Sequence, residues 1–186
     1  MRDQLQHDYS VKKLASAGQV FEICSKIKDF EQLAQVIEKD LAALDPKEFP
    51  SMWKESEIIG EIKFDLAGTE ECFPIMIGDL TANIFAVCQR CLDLMEIKVQ
   101  VKPKVALMEL GQSMDSFDEF EIWELSESTL KPHEVIEELL IMALPLSVMH
   151  NDKSKCKASL AYLNNEKKQD LVRPFANLRS QLKKNK

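Results

Sequence analysis

From residue 57 onward the chain stops repeating at helical spacing and begins to alternate, and this constrains the fold more than any other feature. Ile58, Ile62, Phe64 and Leu66 interleave with Ile59, Glu61, Lys63 and Asp65, so one face is apolar and the other mostly polar. Phe73 to Val87 repeats the pattern with Leu80, Ala82, Ile84 and Ala86 on one side, and the Gly78-Asp79 pair predicts an interruption. A third stretch, Met95 to Leu107, sets Met95, Ile97, Val99, Val101, Val105 and Leu107 against Glu96, Lys98, Gln100, Lys102 and Lys104. Three such runs in succession read as an antiparallel sheet.

Helices flank this block. Before it, residues 18–27 read as a strand with Phe21, Ile23 and Ile27 on one face. Asp29 is then placed to cap a helix carrying Phe30, Leu33, Ala34, Ile37 and Leu41 at helical spacing, ending before Pro46. After it, residues 109–127 hold seven acids and no base, which reads as a polar loop followed by a short strand around Phe120, Ile122 and Leu125. A calcium loop would need a central glycine, and Gly111 lies outside this cluster, so a solvated acidic face is the expected reading over a calcium site. A second helix follows Thr129 and runs to about Leu144, with Pro132 in its first turn and Val135, Ile136, Leu139, Leu140 and Ala143 as the buried stripe. Glu134, Glu137 and Glu138 are attributed to the favourable end of the helix dipole. The expected fold class is α+β: a single domain, mainly an antiparallel sheet, with closure into a barrel left open, two principal helices and a flexible basic tail.

Between the second and third alternating stretches stands Cys88-Gln89-Arg90-Cys91, which places Gln89 and Arg90 at a hairpin tip with a thiol on each side. Downstream, an extended run from Leu146 delivers His150, and Cys156 follows. Three thiolates and one imidazole make a complete tetrahedral set for a structural Zn2+. The alternative is four residues that never converge. Five cysteines, an odd number at irregular spacing, argue for reduced thiols or ligands over a disulfide framework. Cys24 and Cys72 are expected to be small buried hydrophobes, and His7 and His133 to be solvated.

Charge divides the chain. Residues 1–151 hold 14 basic and 28 acidic side chains, a net of minus 14, whereas residues 152–186 hold ten basic and three acidic ones, a net of plus seven. The expected organisation is therefore an acidic core domain over residues 1–150 and a basic, largely flexible tail over 151–186, with a short docking segment at 174–182. Such a tail suits a polyanion. Arg90 at the hairpin tip and Arg173, Phe175 and Arg179 in the tail are the candidate contacts. The longest apolar run, Ile141 to Leu146, is far short of the roughly 20 residues a membrane helix needs. Met1-Arg2-Asp3-Gln4 does not open a secretory signal, so the expected location is the cytoplasm.

Three blocks carry a resemblance: Cys88-Gln89-Arg90-Cys91-Leu92; Ile136 to Leu146 leading to His150 and Cys156; and Pro174-Phe175-Ala176-Asn177-Leu178. In this order and spacing they resemble the bacterial YceD family, the large ribosomal RNA subunit accumulation proteins. The resemblance implies a non-enzymatic cytoplasmic factor supporting synthesis, processing or accumulation of large-subunit ribosomal RNA. Its partners would be ribosomal RNA or ribosome-assembly proteins, with no membrane and no small-molecule substrate. Two other classes remain: a protein-interaction module without a nucleic-acid role, suited to the acidic body, and a thiol-redox enzyme using Cys88 or Cys91. The second would need a strand leading into a helix whose N-terminus lowers a thiol pKa, and here both flanks read as strands.

Overall fold

The computed structural model describes residues 2–68, 72–109, 119–152 and 156. In chain order the elements are α1 (Arg2–Leu5), β1 (Tyr9–Ser10), α2 (Val11–Ala17), β2 (Val20–Lys26), α3 (Glu31–Leu41), β3 (Glu57–Ala67), β4 (Phe73–Val87), β5 (Leu94–Val101), β6 (Lys104–Glu109), β7 (Glu121–Leu125), β8 (Thr129–Leu130) and α4 (Pro132–Met142). They lie in a first compact unit, Met1–Met149; of the second, His150–Lys186, the described residues are His150, Asn151, Asp152 and Cys156.

The alternating stretches pair antiparallel as expected, β3 with β4, and β2 joins the same sheet antiparallel to β3. β4 is unbroken, however, and runs through Gly78-Asp79 as one strand. What changes there is its partner on the other edge: Leu80 to Val87 pair with β5, and Ile75 to Ile77 pair with β6. The register is kept, since Leu80 faces Val101 and, three residues on in each strand, Ile77 faces Lys104. The third stretch is thus one line of chain interrupted at Pro103, which has no N–H for the ladder but accepts from Gly78 N at 3.2 Å. β7 adds to β6 in parallel, and β1 pairs with β8 apart from the main sheet. The path ends at β2 on one side and β7 on the other, so the sheet is open and not a closed barrel.

One face of the sheet, through Phe21, Ile23, Ile58, Ile62, Phe64, Leu80, Ile84 and Val99, shares a core with Leu33, Ile37 and Leu41 of α3 and Val135, Ile136, Leu139 and Leu140 of α4. Each of these large side chains contributes about 1.5–3 kcal/mol by leaving water. On the opposite face Phe73, Ile75, Ala106 and Met108 form a smaller cluster. β6 therefore buries both its faces, which explains its unbroken Val105-Ala106-Leu107-Met108 run. At strand ends the alternation stops predicting burial: Leu66 and Ile122 are 42% and 52% exposed. Cys24 and Cys72 are exposed, contrary to expectation. Cys24 follows inward-facing Ile23 and so points outward, and Cys72 sits at the start of the approach to β4.

The capping of α3 differs from the sequence reading. The Asp29 carboxylate accepts from Lys26 N at 3.0 Å and closes a short 3-10 turn, Ile27–Asp29, ahead of the helix. The amides at the start of α3 are instead satisfied from α4: Glu137 Oε1 accepts from Gln32 N at 2.6 Å and Leu33 N at 3.0 Å. Glu137 is buried, so it serves another helix's N-terminus and is not a solvated partner of its own dipole. His133 is likewise not solvated: its ring stacks on Phe30 at 4.5 Å, and Nε2 donates to Asp29 O at 2.8 Å.

Gly60 marks the tightest approach in the sheet. Its φ is +154°, and a Cβ placed there would lie 2.0 Å from Asp79 O on β4. Gly60→Ala is expected to lower unfolding free energy by about 3 kcal/mol, through strain and strand separation. A urea denaturation midpoint unchanged from wild type would contradict this.

Candidate metal centre

The cysteine knuckle arises where β4 hands over to β5. The carboxylate of Asp40, on α3, accepts from Val87 N at 3.2 Å and fixes the end of β4. The chain then reverses: Leu92 N donates to Cys88 O at 2.8 Å, Cys88 N donates to Asp93 O at 3.0 Å, and Leu92 adopts a left-handed φ of 60°. This turn brings Cys88 and Cys91 to the same side of the hairpin end, both buried. No helix starts at either cysteine, and the flanks are the two strands expected.

Gln89 and Arg90 are exposed, yet the tip is anchored and does not stand clear in solvent. Gln89 N donates to Val148 O at 2.8 Å, its side-chain Nε2 donates to Leu146 O at 3.4 Å, and Ser147 Oγ donates to Gln89 Oε1 at 3.0 Å. Arg90 Nη2 lies 3.7 Å from Met149 Sδ. The segment released by Pro145 at the end of α4 is thereby tied to the knuckle, and its next residue is His150. Sequence reasoning assigned Gln89 no role. Its only local signal is an amide between two cysteines, which says nothing about a partner nearly sixty residues away.

The ligand atoms of Cys88, Cys91, His150 and Cys156 all lie within 4.8 Å of one another. Cys156 is fully buried, and its Sγ is 3.5 Å from His150 Nδ1. Around tetrahedral zinc, with bonds of about 2.3 Å to sulfur and 2.0 Å to nitrogen, neighbouring ligand atoms stand roughly 3.5–3.8 Å apart. The donor set is compatible with such an ion, and the 3.5 Å between Cys156 Sγ and His150 Nδ1 matches that separation. None of the five cysteines is in a disulfide. Arg173, Phe175 and Arg179 lie outside the described residues.

The family model described as "Large ribosomal RNA subunit accumulation protein YceD" matches residues 76–183. The chain belongs to the YceD family. The YceD match takes in β4 from Met76 onward, the knuckle, α4, His150 and Cys156, and with them all three blocks that carry the resemblance. Comparison with curated proteins and with solved structures finds no significant match. Among the described residues, no helix is long and apolar enough to cross a membrane.

Proposed function

We propose that this protein is a non-enzymatic cytoplasmic factor that supports the synthesis, processing or accumulation of large-subunit ribosomal RNA. The observation that carries the reading is the YceD match over residues 76–183, which contains the Cys/His set and most of the basic tail. In this reading Cys88, Cys91, His150 and Cys156 hold one structural Zn2+. Its chemistry is to lock the ligands in place, since three thiolates and an imidazole leave no open position for a substrate. Residues 1–150 act as an acidic binding body. Residues 151–186 add electrostatic affinity for RNA through Arg173 and Arg179, with Phe175 as an apolar contact and Arg90 as a further cation at the knuckle.

The test is direct. If about five tail cations neutralise phosphates, log–log binding to ribosomal RNA falls with salt at a slope on the order of −4 to −5. A strain lacking the protein shows depleted large-subunit RNA. The net charge of minus 14 over residues 1–151 favours a second reading, a module that binds proteins only. A flat salt response with normal ribosomal RNA levels would select it.

A further inference from the structure

An apolar groove of about 270 Å³ lies beside the knuckle, and its lining residues all belong to the unit Met1–Met149. α3 contributes Val36 and Ile37, the β4–β5 hairpin contributes Phe85 and Ile97, and the chain leaving α4 contributes Leu144 and Leu146. Val36 and Leu146 are exposed although apolar. The wall at Leu146 and Val148 is tied in place, because Gln89 bonds both carbonyl groups, and Gln89 itself lines the groove. Among the described residues, Asp40 is the one charged side chain in the lining. A preformed apolar cleft with one carboxylate suits an apolar peptide that carries a cation at its edge.

The sequence of this chain contains such a peptide. Arg173-Pro174-Phe175-Ala176-Asn177-Leu178-Arg179 sets Phe175 and Leu178 three positions apart, with Leu182 four further on and an arginine on each side of the apolar run. Those three apolar residues share one face at helical spacing, and Pro174 is suited to a first turn. Leu160-Ala161-Tyr162-Leu163 is a nearer apolar run, but no base stands next to it, so Asp40 selects the later one. The tether is long enough. Cys156 has its sulfur within 4.8 Å of the ligand atoms of Cys88 and Cys91, which flank Gln89. From there residues 157–173 can span about 25 Å as a helix and roughly 55 Å extended. Attachment at that range raises the effective concentration to the order of millimolar, ahead of a second molecule present at micromolar levels.

We infer that residues 174–182 dock into this groove of their own chain, with Phe175 and Leu178 against Val36, Ile97 and Leu146 and an arginine at Asp40. In this arrangement Phe175 is a contact within the chain. The bases on either side of the docked segment stay at the surface, where phosphate reaches them.

The test uses the full-length protein with photoreactive p-benzoylphenylalanine in place of Phe175, irradiated at about 1 µM so that contacts within a chain dominate. Mass spectrometry should find cross-links inside single chains, on peptides containing Val36, Ile97 or Leu146. Val36→Lys removes an apolar contact and adds a repelling cation at an exposed position, and should cut the yield roughly fivefold or more. Leu146→Lys should do the same, whereas Ile59→Lys, exposed on the outer face of β3, should leave the yield unchanged. Circular dichroism checks that each variant is folded, and if one lysine variant of the groove is not, the other decides. An absent cross-link in folded protein, cross-links remote from the groove, cross-links only between chains, or a yield indifferent to lysine in the groove would overturn the inference. Docking and RNA binding fail separately. Affinity for RNA that falls steeply with salt, beside an absent groove cross-link, overturns docking alone; a groove cross-link beside a flat salt response supports docking and removes RNA binding.

Discussion

Stripping the metal with a strong chelator is expected to lower the melting temperature by roughly 8–16 °C. The magnitude follows from linkage. A ligand at about a thousandfold excess over its Kd stabilises the folded state by about 4 kcal/mol, and each kcal/mol is worth roughly 2–4 °C in a chain of this length. The structural reason is that Cys88, Cys91 and Cys156 are buried, with ligand atoms within 4.8 Å of one another. In the proposed reading the ion is what holds these three thiols and the imidazole together. Cys91→Ser should reproduce the loss and abolish the response to chelator. Cys24→Ser should change neither, because Cys24 is exposed on β2 and outside the cluster. Differential scanning calorimetry of the three proteins, with and without chelator, checks all these outcomes, and identical melting curves for wild type and Cys91→Ser would refute the expectation.

Glu137→Ala is expected to cost about 3 kcal/mol in unfolding free energy, although Glu137 lies in neither the metal cluster nor an ion pair with a lysine. Its single Oε1 accepts both Gln32 N and Leu33 N, at 2.6 and 3.0 Å, from a buried position. Hydrogen bonds to a charged group contribute about 1.5–3 kcal/mol each, and truncation leaves two amides at the α3 N-terminus unsatisfied. Glu137→Gln keeps an acceptor oxygen and should lose roughly half as much. Glu137→Met fills similar volume but accepts nothing, so it should resemble alanine if the hydrogen bonds are the cause. Urea titration separates these cases; a methionine variant as stable as wild type would mean the side chain acts only by packing.

The features read correctly from sequence are those written in local periodicity. Alternation located β3, β4 and the inward residues of β2, and helical spacing located α3 and α4, because each pattern repeats within a few residues. Non-local choices were not visible. Gly78-Asp79 looked like an interruption of a strand and proved to be where β4 changes partner, a fact that depends on Pro103 arriving opposite Gly78. Asp29 had the right type and position for a cap, but Glu137 reached the same amides from over a hundred residues away. For Cys24 the alternation already contained the answer, since Ile23 inward puts Cys24 outward; treating the thiol as a small hydrophobe overrode it. The Cys/His set was legible from its donor chemistry. Its support by Gln89 through the Leu146 and Val148 carbonyl groups was not, because backbone acceptors leave no mark in a sequence.

X-ray absorption at the zinc edge, with metal content measured on the same sample, tests the centre most directly. One zinc per chain is predicted, with three sulfur neighbours at about 2.3 Å and one nitrogen at about 2.0 Å. Protein that carries no stoichiometric metal yet melts unchanged in chelator, or an ion bound through oxygen alone, would contradict the account.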